Sequence, residues 1–308
     1  MTAYFQNKRN LVMPCAIIGG ALLSKWMGYI TFLSPYLIFA MLFITYCRMS
    51  PRQIRPGKFD WQLLGIQIAI SGLTYGLLFW WNHTLAEGVF ICVFVPTATA
   101  APVITSMLGG EIKKVVTYSM VSNLWVALTG PVILAAIGDR QDYTFAHSFV
   151  LILSEVGPLL IVPLLCAFAL QYAWPKMHER VANHQQLSFY IWAVSLFIVV
   201  GSCVSFAINT WTPESTWIML GLFIGAGAVC IIQLYIGRRF GAGYSDPVAG
   251  GQSLMQKNTV LAVWLALAYM TPIASIGPAA YILWQNVINS WQIARHDSVD
   301  FGHVASVP

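Results

Sequence analysis

Apolar residues recur along the chain in long blocks, each separated from the next by a short polar link. A helix needs roughly 20 apolar residues to cross the hydrocarbon core of a bilayer, and each block is long enough to supply them. Runs such as 62–81 are continuously apolar rather than alternating, which favours helices over the strands of a barrel. The pattern predicts about ten transmembrane helices, over residues 11–28, 31–49, 61–81, 85–108, 112–137, 146–173, 187–208, 216–237, 243–270 and 272–295.

Composition favours a membrane protein over any soluble class. Of the 308 residues, 58% are hydrophobic and only 9% are charged, against roughly 25% charged in soluble domains. No soluble fold of this length could bury so much apolar surface, so we expect an all-α integral membrane protein in contact with the lipid bilayer. The six cysteines lack the clustered spacing of a metal site or a disulfide framework. No nucleophile–base pair stands out either, so we expect no enzyme, no bound metal and no cofactor.

Basic residues are distributed unevenly between the two sides of the predicted topology. Of the 16 lysines and arginines, Lys25 and Lys257 are counted within predicted helices and Arg140 lies in a link on one side, while the other 13, four of them at the ends of predicted helices, lie on the opposite side. Because cytoplasmic loops carry the excess of basic residues, this distribution predicts an even number of helices in the plasma (cell inner) membrane, with both termini in the cytoplasm. The net charge of +5 follows from the same rule and needs no nucleic-acid partner.

Two of the predicted helices are interrupted by helix-breaking segments at mid-depth. The fourth contains residues 96–102, which begin and end with proline, and the ninth contains the polar, glycine-bearing residues 250–258. Each is the fourth member of a five-helix half, one over 11–137 and the other over 146–295, followed by a cytoplasmic tail over 296–308. An odd number of helices per half inverts the second half relative to the first. Interrupted helices at matching places in inverted repeats point to the binding site of a transporter.

At these two breaks the sequence resembles the bile acid:sodium symporter family, within the bile/arsenite/riboflavin transporter superfamily. The family's fourth helix breaks at a Pro-Gly-Gly-x-x-Ser-Asn stretch, whose place is taken here by 96–102, and its ninth helix carries Glu-x-x-x-Gln-Asn, which corresponds to 253–258. The resemblance extends along the predicted helices to Asn286. It implies two inverted five-helix repeats with crossing broken helices. It also implies a secondary transporter that moves a small organic anion, such as a bile acid or another carboxylate, by alternating access.

The resemblance assigns three substrate-binding residues. Family members contact the organic anion through a Thr in the fourth-helix break, the Asn after the ninth-helix Gln and an Asn in the tenth helix. Thr99, Asn258 and Asn286 occupy these positions. Each could instead be structural, since Thr can bond back to a carbonyl group of its own helix and Asn can join neighbouring helices. We expect the three side chains to line one cavity near the membrane midplane.

The positions that bind sodium in the family have changed. The Ser-Asn pair of the fourth helix is Ala-Pro at 101–102, the ninth-helix Glu is Ser253 and the Gln is Lys257; on the fifth helix Ser119 keeps a hydroxyl, whereas Val115 has none. A hard cation prefers several oxygen ligands, including a carboxylate. The resemblance therefore implies sodium coupling that is weakened or absent.

Lys257 places an ammonium group inside the ninth predicted helix. It follows Asp246 by about eleven residues and precedes Thr271 by about fourteen, so its side chain is too deep to reach either membrane surface. A charge at this depth costs at least about 2.5 kcal/mol on insertion scales and usually marks function. We expect Lys257 to replace the positive charge of a bound sodium ion and to pair with Glu155 or with an anionic substrate.

Two other classes of membrane protein share parts of this pattern. Auxin-efflux-like carriers have a similar ten-helix inverted design, and the loss of sodium ligands is compatible with that class. A channel or sensor without transport would use the breaks only to shape a pore or a ligand pocket. Accumulation of a solute above its equilibrium distribution separates a carrier from a channel.

Overall fold

The structure, a computed structural model, describes residues 15–47, 55–98, 100–138, 145–183 and 185–304, and some side chains within these ranges, among them that of Glu155, lie outside the description. Over the described residues every secondary-structure element is helical, apart from one pair of bridged residues. The prediction of an all-α protein is therefore confirmed. By length and composition, three described helices can each cross a membrane: Lys58–Phe79, Ile112–Ile137 and Ser215–Ala242.

The first half of the chain follows the predicted order of helices, with the fourth one divided in two. The helices are 15–22 (α1), Ser24–Met27 (α2), Ser34–Cys47 (α3), Lys58–Phe79 (α4), His83–Phe94 (α5), Ala101–Met107 (α6) and Ile112–Ile137 (α7). The first predicted helix is not continuous, because the Leu23 backbone, with a ψ of 17°, leaves the helical range between α1 and α2. A 3-10 turn, Thr31–Leu33, then leads into α3.

The second half repeats this order, again with a divided ninth helix. Its helices are Phe145–Ala173 (α8), Pro175–Asn183 (α9), Gln185–Thr210 (α10), Ser215–Ala242 (α11), Pro247–Met255 (α12), Thr259–Tyr269 (α13) and Ile276–Val304 (α14). The short helix α9 lies in a link for which we predicted no helix. In the segment predicted as a tail, residues 296–304 continue α14, and 305–308 lie outside the described residues.

The second break is narrower than the sequence predicts. Gly250 and Gly251 were expected within it, but both lie inside α12, and only residues 256–258 leave the helical conformation. These glycines permit close packing instead, since a Cβ atom at Gly250 would lie 2.2 Å from the carbonyl oxygen of Gly237 in α11. The backbones of α11 and α12 are therefore in direct contact.

Two carboxylates join the ends of the broken helices. Asp246 caps α12 by accepting from the Ala249 N–H at 2.8 Å, and its second oxygen accepts from the Glu111 N–H at 2.9 Å, at the turn that follows α6. Glu87, in the first turns of α5, accepts from the Thr271 N–H at 3.0 Å, at the turn that follows α13. The start of each broken helix is thus hydrogen-bonded to the end of the other.

The two half-helices α5 and α12 are enclosed by the rest of the protein. Residues 86–94 of α5 and 249–255 of α12 are buried without interruption, including the polar ones. A helix that is buried all round belongs to the interior of a bundle. The two breaks therefore lie inside the protein rather than against lipid.

Candidate functional site

The two breaks meet and pair through their backbones. Thr97 and Lys257 form an antiparallel bridge. On either side of it, the Ala98 N–H donates to the Gln256 carbonyl at 2.8 Å and the Asn258 N–H donates to the Pro96 carbonyl at 2.9 Å. We call residues 95–98 and 256–258 the crossing. Four half-helix ends converge there, since α5 and α12 end at it and α6 and α13 begin just beyond it.

Side chains from neighbouring helices satisfy the carbonyl groups at the end of α5. The Gln67 amide, from α4, donates to the carbonyls of Phe94 and Val95 at 2.9 and 3.2 Å. The Tyr118 hydroxyl, from α7, donates in turn to the Gln67 side-chain oxygen. The last carbonyls of a helix have no partner within the helix, so at a break inside a membrane protein other groups must supply one.

The end of α12 is satisfied in a similar way. The Tyr281 hydroxyl, from α14, donates to the Met255 carbonyl at 2.8 Å and accepts from the Gln233 amide of α11 at 2.9 Å. The Thr97 hydroxyl reaches across the crossing and donates to the Ser253 carbonyl at 2.8 Å. The carbonyls that flank the second break are therefore also bound by the protein itself.

Of the predicted cation-site positions, Ser119 and Ser253 both lie beside the crossing. The Ser119 hydroxyl donates to the Thr97 carbonyl at 3.4 Å, and Ser122, one turn further along α7, accepts from the Thr97 N–H at 3.3 Å. The Ser253 hydroxyl is fully buried and has no hydrogen-bond partner among the described residues. Those residues contain no group of three or more His, Cys, Asp or Glu side chains arranged to hold a metal ion.

Lys257 is held in the crossing by its backbone while its charged group is enclosed. Its N–H donates to the Gln285 side-chain oxygen of α14 at 2.8 Å. The residue is only 1% exposed, and its Nζ has no hydrogen-bond partner among the described residues. The predicted partner Glu155 lies on α8, but its side chain is outside the description. Lys257 directly precedes Asn258, the N-cap of α13.

Hydrogen-bond donors predominate among the unpaired buried atoms at the crossing. They include Nζ of Lys257, Nε2 of Gln256 and Nδ2 of Asn258, together with the Ser253 hydroxyl, which can donate or accept. On the neighbouring helices, the side-chain oxygens of Asn123 in α7 and of Gln233 in α11 are unpaired acceptors. Because the three unpaired nitrogen atoms can only donate, an acceptor-rich ligand such as an anion suits this site better than a cation.

The structure places two of the three predicted substrate residues. Asn258 is buried, and its side-chain oxygen accepts from the Leu261 N–H at 3.2 Å, which leaves its amide nitrogen available. Asn286 is half-buried, and its amide donates to the Ile282 carbonyl of its own helix at 2.7 Å. Thr99 lies outside the described residues.

Several residues that build the crossing are not among those predicted from the sequence. Thr97 forms the bridge two positions before the predicted Thr99, and Gln285 binds the Lys257 N–H beside the predicted Asn286. Gln67 and Gln233 are amides in the middle of apolar runs, a signal that could have identified them, since polar groups in such runs need partners. The role of Tyr281 has no comparable signal in the sequence.

Comparison with known proteins places the chain in a transporter family. The matching family model covers residues 19–287, which include both breaks and every residue of the crossing. No curated protein matches the chain significantly. The matched family is related to the bile acid:sodium symporters that the breaks resemble. The chain belongs to the SBF-like CPA transporter family (DUF4137) and is an integral membrane transporter.

Proposed function

We propose that this protein is a secondary carrier of small organic anions in which Lys257 supplies the positive charge that a sodium ion supplies in the bile acid:sodium symporters. The observation that carries this proposal is the excess of unpaired donors at the crossing, headed by a lysine ammonium that is 1% exposed. Transport is then independent of sodium. No cofactor takes part.

Burial makes the Lys257 ammonium dependent on a negative partner. An unpaired charge in an apolar interior costs several kcal/mol, on the order of the values measured for membrane insertion. The start of α13, directly after Lys257, carries the positive end of a helix dipole and adds to this cost. A substrate carboxylate that reaches the crossing relieves it, and Glu155 offers a partner when no substrate is bound.

The bonding of the backbone carbonyls argues against a bound sodium ion at the crossing. Gln67, Tyr281 and Thr97 donate hydrogen bonds to carbonyl oxygens of residues 94, 95, 255 and 253. A hard cation needs several such oxygens and favours a carboxylate among them. Neither the family's Glu nor its Ser-Asn pair is present to replace them.

The proposed binding site combines the donors at the crossing with the positions that the family resemblance assigns. Thr99, Asn258 and Asn286 contact the substrate, and Ser119 and Ser253 are what remains of the cation site. The two five-helix halves, 11–137 and 146–295, are inverted repeats that expose the crossing alternately to either side. The protein lies in the plasma membrane with both termini in the cytoplasm.

A ligand screen followed by transport tests this function. Purified protein is heated with small carboxylates and bile acids, with and without sodium, because a ligand that binds the folded state raises its apparent stability. Uptake of the best ligand into proteoliposomes is then measured with choline in place of sodium. We expect uptake to persist in choline and to concentrate the ligand above its equilibrium distribution. A channel cannot produce such accumulation.

Lys257→Ala provides the decisive variant, because it removes the buried charge together with the side chain that carries it. We expect it to abolish uptake, whereas Lys25→Ala, a matched loss of an exposed lysine from the first apolar block, leaves uptake unchanged. Strict dependence on sodium, or full uptake by Lys257→Ala, would refute the proposal.

A further inference from the structure

A second group of buried polar side chains extends along α14 away from the crossing. Gln285, Asn289 and Gln292 share one face of this helix, at spacings of four and three residues, and each is more than nine-tenths buried. Gln285 binds the Lys257 N–H, and Gln292 lies about 10 Å further along the helix axis. At that level Arg238 of α11 and Gln252 of α12 join Gln292.

We call Arg238, Gln252, Asn289 and Gln292 the arginine cluster. Arg238 donates through Nη2 to the Gln292 side-chain oxygen at 2.8 Å, and the Gln252 amide approaches the same oxygen at 3.5 Å. Four buried atoms of the cluster lack partners among the described residues. Two are donors, Arg238 Nε and Gln292 Nε2, and two are acceptors, Gln252 Oε1 and Asn289 Oδ1.

The Arg238 guanidinium has no carboxylate partner among the described side chains. Of the described acids near that end of the helices, Glu111 and Asp246 lie 3.1 and 3.8 Å from the Lys114 ammonium instead, and Asp60 accepts from the Gly57 N–H at the start of α4. The missing side chain of Gly251 makes room for Arg238, whose Cγ would lie 2.7 Å from a Cβ atom there. Among the described residues, the fold thus holds a half-buried cation beside buried amides without a counter-charge, which is costly unless an anion binds.

We infer that the arginine cluster is a second anion-binding site, which takes the carboxylate group of a small organic anion about 10 Å along α14 from Gln285. The guanidinium presents its donors in a planar fork that matches a carboxylate, and Gln292 Nε2 adds a further donor. The free amide oxygens of Gln252 and Asn289 accept from water or from a hydroxyl group of the ligand. The ligand class rests on the proposed function, but binding at this site does not require Lys257.

Charged thiol reagents test the site without a known substrate. Asn289→Cys is introduced into a chain whose exposed Cys15 and Cys166 are replaced by serine, and the parent without Asn289→Cys gives the background. The reagents are an anionic methanethiosulfonate, which carries a sulfonate, and a cationic one, which carries a trimethylammonium group. We expect the anionic reagent to react about tenfold faster than the cationic one, because Arg238 sets the local potential. We also expect benzoate, at roughly tenfold excess over the reagent, to slow the anionic reaction.

Matched variants test whether Arg238 causes the faster reaction with the anionic reagent. Arg238→Gln should abolish it, whereas Arg239→Gln removes the same charge from the exposed neighbouring residue and should retain it. Lys257→Ala should also retain it, so a failure here is distinguishable from a failure of the proposed function. The inference is overturned if Asn289→Cys reacts no faster than the parent, or if both arginine variants show the same preference. If Arg238→Gln does not fold, the test is whether benzoate slows the anionic reagent in the Asn289→Cys protein that keeps Arg238. The absence of this protection overturns the inference.

Discussion

Tyr281 and Gln67 have equivalent roles at the two ends that face the crossing. Each donates to a last-turn carbonyl of a half-helix, and each is itself bound by a further side chain, Gln233 for Tyr281 and Tyr118 for Gln67. Water cannot replace such partners in a packed interior. Each break is therefore stabilised by a chain of two side chains from helices that are themselves continuous.

Tyr281→Phe removes the hydroxyl while keeping the ring. The Met255 carbonyl and the Gln233 amide then lose a partner in the interior, so we expect a loss of about 1 kcal/mol in the free energy of unfolding. The measurement is thermal unfolding of the detergent-solubilised protein. Tyr235→Phe, which changes a tyrosine 69% exposed on the same bundle, is the control and should leave the midpoint unchanged. Equal midpoints for the two variants would contradict this role of Tyr281.

Glycine contacts determine how closely α11 and α12 approach. Gly237 and Gly241 of α11 both face Gly250 of α12, and a Cβ atom at any of the three would lie 2.2 to 2.4 Å from a backbone oxygen of the facing segment. Backbone atoms cannot move aside as the end of a flexible side chain can. This contact fixes α12, and with it the residues that lead into the crossing.

Gly250→Ala should force α11 and α12 apart. We expect a lower unfolding midpoint and loss of uptake, because overpacking in a close contact typically costs about 1–3 kcal/mol. Gly72→Ala is the matched control, since nothing lies within 4 Å of a Cβ atom at this position of α4. In a helix interior alanine is favoured over glycine by about 0.5–1 kcal/mol, so this control should be neutral or stabilising. A Gly250→Ala protein as stable and active as the Gly72→Ala protein would show that the close contact is unnecessary.

At the scale of the whole molecule, the two broken helices are related by their bonding pattern. Asp246 joins the start of α12 to the end of α6, and Glu87 joins the start of α5 to the end of α13. Ser122 accepts from the Thr97 N–H as Gln285 accepts from the Lys257 N–H. These matched pairs support the proposed inverted repeat, in which the two breaks approach the crossing from opposite sides of the membrane.

The uneven distribution of basic residues predicts which links face the cytoplasm. A membrane-impermeant maleimide applied to intact cells should label Glu214→Cys and should not label Arg180→Cys until the cells are opened. Both residues are exposed, Glu214 just before α11 and Arg180 on the short helix α9, so accessibility in the folded protein does not limit either reaction. The background is again the chain with Cys15 and Cys166 replaced by serine. The reverse labelling would place both termini outside the cell.

The breaks were predictable because proline and polar residues interrupt an apolar run visibly, and the structure breaks α5 from α6 and α12 from α13 at those runs. The side chains that hydrogen-bond the carbonyl groups at the breaks were not predictable in this way. Gln67, Gln233 and Tyr281 satisfy the breaks from helices far away in the sequence, and hydrophobic periodicity does not show which helices pack together. The glycines at 250–251 misled the prediction because glycine serves both to interrupt a helix and to let two helices touch.

The bridge between Thr97 and Lys257 has a mechanical consequence. Segments 95–98 and 256–258 share backbone hydrogen bonds on both sides of this bridge, so they cannot move independently of each other. The crossing is therefore unsuited to act as a hinge. Any motion that opens the protein first to one side and then to the other must carry both breaks as one rigid unit against the remaining helices. The lysine charge, fixed to that unit through its own backbone, then travels with it, and the flexible joints are expected in the links that connect the unit to the rest of the protein.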